Sequence, residues 1–309
     1  RLHGLGIRVD HLLDFTRAHD CWTWPTKHVV RDIIKPATRD TRGRYAELPE
    51  LRDLFGPAHV FMSHCWAATW GDLVLAANHG ARPDRYVWID VFAVRQWAGN
   101  DADLDFRPVL QRCRAMIVSV SADVAGHGGH DSLATFKATP AEQRAFRDSA
   151  AYDAVKSKIF VFRLWFVVEF AAAVSSGKPV VIKWGRARDA DDATATGGAA
   201  NNKVYDTSGG RNVLMNLTYM VDVEASECYK AEDKARELDI IRKEPGGVAR
   251  VQAVVEGALE GALATLDTNV VEVDAAVCGE PAALAALEIN LRSTGKERQR
   301  ALDVLAAAA

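Results

Sequence analysis

One feature constrains this chain more than any other: short, almost uninterrupted Val/Ile-rich bursts alternate with stretches of helical periodicity. The bursts predict strands at His59–Ser63, Tyr86–Phe92, Ala115–Ser121, Pro179–Trp184 and Thr218–Val223. A strand that is apolar on both faces has to lie between two layers, which is the condition of a parallel sheet covered by helices. The intervening periodicity predicts helices over Gly71–Asn78, Phe106–Arg114, Phe162–Ser176, Lys230–Lys243 and Val248–Leu266. Gly177 and Pro179 supply a stop before the fourth strand, and Pro245-Gly246-Gly247 separates the last two helices. Five strands alternating with helices imply an α/β fold, a flavodoxin-like five-stranded parallel sheet with helices on both faces. Val87, Ile89 and Val91 of the second strand are then expected deep in the core.

Three segments stand outside the alternation. Residues 1–58 form an N-terminal extension expected to pack on the main α/β domain, which spans 59–266. Residues 122–157 read as a long polar insertion. Residues 186–211, rich in Gly, Ala, Asp and Thr, read as a mobile loop. Residues 267–309 form a helical C-terminal extension in which Leu284, Leu287, Leu291, Leu302 and Leu305 recur at helical spacing, broken at Gly295. That pattern suits a cap on the main domain or the stump of an armadillo-like array, since one repeat cannot bury its own face. The chain opens at Arg1 rather than Met and closes in Ala306–Ala309, so both ends read as cut from something longer.

Bulk chemistry narrows the partners. A net charge of −3 gives no reason to expect nucleic acid or a membrane surface. No apolar run reaches the roughly 18 residues of a membrane span. The five cysteines form no CxxC pair, which disfavours a disulfide framework or a zinc site and points to a reducing, cytoplasmic setting. No metal or cofactor is expected.

In an open parallel sheet, ligands bind outside the carboxyl ends of the strands. There the predicted strands deliver Ser63, His64, Cys65 and Trp66, then Asp90 with Gln96 and Trp97 after it, then Ser121, and lastly Lys183 and Trp184. Aromatic faces suit a planar ring and hydroxyls or amides suit ribose-like hydroxyls. Cys65 beside His64 suggests a cysteine hydrolase, but neighbours on a strand point to opposite faces, and a thiol nucleophile needs its base facing it. The "GHGGH" stretch, Gly126–His130, matches neither Walker nor Rossmann spacing, and its two histidines lack a nearby set of ligands. Glu169 is the most telling residue. It is the lone acid in "RLWFVVEFAAAV", a helix apolar on nearly every side. Such a helix is buried, so its carboxylate either caps a loop backbone, pairs with a buried arginine, or serves a site.

Several of these stretches together, "VFMSHCW", "YVWIDVF" with Gln96 beyond it, "AMIVSVS", and "LWFVVEFAAAVSSGKPVVIKW", resemble the TIR (Toll/interleukin-1 receptor) superfamily, in particular a divergent algal and protist group with an "SHxW" strand end and a "WID" segment. "IIKPAT", Ile33–Thr38, adds to the likeness, which covers residues 20 to 265 approximately. The resemblance implies a flavodoxin-like fold and one of two roles. One is cleavage of the nicotinamide–ribose bond of NAD, giving nicotinamide and ADP-ribose or a cyclic isomer. The other is a non-catalytic signalling module that binds a nucleotide or a partner domain. It makes Glu169 the catalytic carboxylate, matching the glutamate of a "WCxxE" pattern with Trp165 as its tryptophan. Phe166 stands in place of the cysteine and Arg163 where a serine is usual. Ser63, His64, Trp66, Asp90, Gln96, Trp97, Ser121 and Trp165 are the expected NAD-binding residues. NAD enters as substrate, and self-association through the Ala93–Asp105 loop is implied.

Overall fold

The structure, a computed structural model, describes residues 4–121, 139–190, 203–206 and 220–264. Its frame is one seven-stranded sheet: β1 (Leu5–Arg8), β2 (Phe55–Pro57), β3 (Val60–Ser63), β4 (Tyr86–Trp88), β5 (Ala115–Ser121), β6 (Val180–Asp189) and β7 (Lys203–Asp206), in the order β2-β1-β4-β3-β5-β6-β7. The middle is parallel: β3 pairs with β4 and β5, and β5 pairs with β6. Both edges are antiparallel, through β1–β2, β1–β4 and β6–β7. The parallel core matches the alternation in the sequence; a purely parallel five-stranded sheet does not hold.

Helices cover both faces. On one side lie α1 (Val9–Ala18) and α2 (Trp70–Asn78), packed with the turns Thr26–Val29, Val30–Ile34 and Lys35–Ala37 against Val60, Met62, Val87, Ile89, Ile117 and Val181. On the other lie α3 (Arg107–Arg112), α4 (Leu164–Ser175), α5 (Ala231–Lys243) and α6 (Gly247–Ala264), against Phe61, Trp88, Met116, Val118, Val120 and Ile182. Alternate residues of β3, β4, β5 and β6 feed the two cores, as the pleat requires. Every residue of β5 is buried. Val87, Ile89 and Val91 are 0%, 1% and 0% exposed, as expected. Among the described residues no helix is long and apolar enough to cross a membrane.

Four expectations are corrected. The predicted strand Tyr86–Phe92 ends at Trp88, and Asp90–Ala93 is a helical turn instead. The Gln96 side-chain amide donates to the carbonyls of Asp90, Val91 and Val94, holding the end of that turn closed. The fifth predicted strand is a buried turn where it is described, with Thr218 and Tyr219 outside the described residues. Gln252 of α6 replaces a strand neighbour there: its Oε1 accepts from the Val223 N–H at 3.0 Å and its Nε2 donates to the Val221 carbonyl at 2.8 Å.

The predicted loop 186–211 holds the outer half of β6 and all of β7. Arg186 and Arg188 pair with Asp206, and Lys203 with Asp189, across that ladder. The N-terminal segment does more than pack on the domain, because β1 and β2 extend the sheet beside β4. In the polar insertion, Pro140–Arg147 and Ala150–Val155 are helical, whereas "GHGGH" lies outside the described residues. So does the C-terminal extension 267–309.

Candidate functional site

Ser63 is the last residue of β3 and shares its face with Phe61, so it turns toward the core under α4. The helix α4 buries Leu164, Phe166, Val167, Val168, Phe170 and Ala173 and leaves Trp165 and Glu169 partly exposed, one turn apart on the same stripe. The two elements meet where Ser63 Oγ donates to Glu169 Oε2 at 2.5 Å. Among the described residues this is the hydrogen bond of the Glu169 carboxyl. Glu169 keeps some accessible surface, yet the apolar protein around it disfavours a charge. That burial pushes its carboxyl up from 4.5 to about 8; the Ser63 bond pulls it down, and the Asp90 charge adds a further upward push. The acid is therefore protonated at neutral pH in the free site.

Asp90 arrives from the end of β4, at the first position of the helical turn after it. Its Oδ2 accepts the indole N–H of Trp66 at 2.8 Å, which ties the loop after β3 to the loop after β4. Its Oδ1 faces His64 Nε2 at 3.8 Å, too long for a hydrogen bond, and neither of these two enclosed atoms has a partner among the described residues. Burial holds the His64 imidazole below its ordinary value while Asp90 opposes the shift, so the ring is neutral at pH 7. Cys65 points into the core under α4, and burial pushes its thiol up to about 12, with Arg163 acting against the shift and Glu169 with it. A thiol so far from ionisation is not a nucleophile.

The chain matches no family model, no curated protein and no solved structure. The site has to be read from its own geometry.

Ser63, His64, Trp66, Asp90 and Glu169 come together at the carboxyl ends of β3 and β4. Trp165 stands one turn from Glu169 with Phe106 edge-on at 6.0 Å and the Arg236 guanidinium 5.8 Å over its ring. Phe106 lies 5.7 Å from Phe61, which stacks on Trp88 at 4.5 Å, so an aromatic row backs the site. Three expected residues are committed elsewhere. Ser121 lies on the opposite face of the sheet and bonds Asp72 of α2. The Gln96 amide is spent on the helical turn. Trp97 donates to Thr38 Oγ1 at 3.1 Å and is covered by Lys35 and Arg42 at 5.0 and 4.8 Å.

Sequence reasoning missed Phe106, Arg236 and the clamp on the Ala93–Asp105 loop. Buried Asp103 there receives Arg44 Nη2 at 2.5 Å and Arg95 Nε at 2.9 Å. The strand and helix patterns marked Phe106 and Arg236 only as members of their helices. Their approach to Trp165 is a long-range contact that no local spacing encodes. Among the described residues no group of three or more His, Cys, Asp or Glu could hold a metal ion.

Proposed function

We propose that this protein is an NAD nucleosidase on a TIR-like, flavodoxin-type scaffold, cleaving the nicotinamide–ribose bond to give nicotinamide and ADP-ribose or a cyclic isomer. The observation that carries the reading is the Ser63–Glu169 bond at the carboxyl edge of the sheet, with Asp90 close enough to be felt by the acid. The order of the parallel strands supports the scaffold: β4-β3-β5-β6 is second, first, third and fourth in chain order, as in flavodoxin-type sheets. The site then lies near the point where strand order reverses, which is where ligands bind in such sheets.

The chemistry suits these residues. When the C1′–N bond breaks, its electron pair leaves with nicotinamide, the ring loses its positive charge and the ribose gains it. A carboxylate in a dry site stabilises that growing charge more than it can in water. Glu169 is neutral in the free site, but the pyridinium of NAD is an opposite charge and favours the anion. Substrate entry thus draws the proton off the acid, and the carboxylate faces the ribose as the bond breaks. Trp66 and Trp165 offer ring faces beside it, and Ser63 offers a hydrogen bond to the carboxamide or ribose. Self-association is part of the proposal, with the Ala93–Asp105 loop as the contributing segment. A reducing compartment is also part of it; among the described residues Cys21, Cys65, Cys113 and Cys228 form no disulfide.

The test is nicotinamide release from NAD by the purified protein at high concentration, for the parent and Glu169→Gln. Release that depends on Glu169 supports the reading, and release undiminished by the substitution refutes it. No release from either protein, under conditions that drive assembly, favours a TIR-like interaction module instead.

A further inference from the structure

We propose that Asp90 is a second catalytic carboxylate, the group that takes the proton of the water attacking the ribose, and that Trp66 and His64 are the positioning residues that aim it. The inference rests on the NAD-cleaving reading above. It begins from an asymmetry in how the two Asp90 oxygens are held. Oδ1 is enclosed and faces His64 Nε2, and both atoms lack a partner among the described residues. Among the described residues Oδ2 receives one side-chain N–H, from Trp66 at 2.8 Å. The side chain as a whole is 32% exposed. With Oδ1 enclosed, Oδ2 is the oxygen that can meet an incoming group, and a carboxylate oxygen has a second lone pair to offer it.

His64 explains why the group is steady. Its side chain is 4% exposed. A shortening of the 3.8 Å separation by a few tenths of an ångström to an ångström turns the His64–Oδ1 approach into a hydrogen bond. Asp90 would then be braced by a donor on each oxygen, one from the loop after β3 on either side of Cys65. Catalytic hydrogen bonds of this kind are often long in an empty site and tighten in the complex.

The two carboxyls are also differentiated. Glu169 sits among apolar side chains of α4, while Asp90 sits at the partly open start of a helical turn. Paired acids in unlike surroundings take unlike roles. Glu169 is placed for the ribose and its developing charge, which leaves the attacking water to Asp90. The step balances without a redox partner. The C1′–N bond breaks with its pair going to nicotinamide. The water oxygen then bonds to C1′, and one water proton passes to Asp90 and on to solvent.

A neutral pyridine base attacking the same ribose carbon has no proton to lose. Base exchange therefore needs Glu169 but not Asp90, whereas hydrolysis needs both. The experiment measures ADP-ribose formation and exchange of nicotinamide for 3-acetylpyridine, side by side, in the parent, Asp90→Asn and His64→Gln. Asparagine keeps an acceptor for the Trp66 N–H, and a thermal melt reports whether each variant is folded. Asp90→Asn is expected to lose about 10²-fold in hydrolysis while exchange stays within about threefold. His64→Gln is expected to lower hydrolysis about tenfold, again with exchange spared. Equal losses in both reactions, in a folded Asp90→Asn, would overturn the base role and leave Asp90 a structural residue, with the NAD reading intact. A parent that releases no nicotinamide overturns both.

Discussion

Two serine–carboxylate pairs stand at the ends of neighbouring strands, and they have opposite fates. Ser63, ending β3, bonds Glu169 on the α4 face. Ser121, ending β5, bonds Asp72 on the α2 face. Asp72 is 2% exposed, and its other oxygen accepts the Ala187 backbone N–H at 2.7 Å. The β6–β7 ladder covers it, with Tyr205 packed so close to Gly185 that a Cβ there would come within 2.4 Å of the phenol ring. Among the described residues Glu169 has one bond; it keeps some accessible surface and is held in its neutral form by its surroundings. The same chemical pair is thus a fastener on one face and a candidate reaction centre on the other. What separates them is the backbone donor and the covering hairpin, not the side chains.

The largest expected effect comes from neutralising the Glu169 side of the comparison. Glu169→Gln keeps shape and removes the ionisable group, and nicotinamide release should fall about 10²- to 10³-fold, equivalent to roughly 3–4 kcal/mol of barrier. A residual rate close to the parent's would make the two pairs alike.

Removing the other carboxylate should show up as stability. Asp72→Ala removes the acceptor of the Ala187 N–H and of the Ser121 hydroxyl bond, at a cost of about 2–3 kcal/mol in chemical unfolding. Turnover per folded molecule should hold within a few-fold. A loss of turnover without a loss of stability would bring the α2 face into the site.

A smaller effect, with a definite sign, follows from titration. Glu169 binds a proton up to about pH 8 in the folded protein, against an ordinary 4.5. Between those values the native state holds one more proton than the unfolded chain. Stability from this group is therefore fully present below its ordinary value and is lost as pH rises toward 8, at up to about 1.4 kcal/mol per pH unit. Partial exposure makes the true slope shallower. Denaturant midpoints measured across this range should fall less steeply for Glu169→Gln than for the parent, and parallel curves would show that the carboxyl is ionised throughout.

The smallest effect is expected at Cys65. Its thiol is pushed up to about 12 by burial, so Cys65→Ala should leave any NAD cleavage within about threefold of the parent. Complete loss in a folded variant would restore the thiol as nucleophile.

Much of this architecture was legible in the sequence, because burial on both faces writes itself into a strand as a continuous apolar run. The parallel core strands, the α4 helix and the isolation of Glu169 within it all follow from that pattern and from the cost of burying a lone acid. The sequence also carried the alternation of Phe61 and Ser63 against Val60 and Met62. What it did not carry is which helix covers which face. Ser63 and Ser121 are both polar strand ends, and only the packing of α4 and α2 on opposite sides sent one to Glu169 and the other to Asp72. The same holds for Gln96 and Gln252, whose amides satisfy backbone groups where strands were expected to run on. It holds too for β1, which pairs with β4 some eighty residues on, and for β2, which pairs with β1 across about fifty. Local composition determined the elements, because each residue meets its own backbone first. The tertiary structure decided the site, because a carboxylate's charge, partners and exposure are set by groups that meet it only once the sheet has closed.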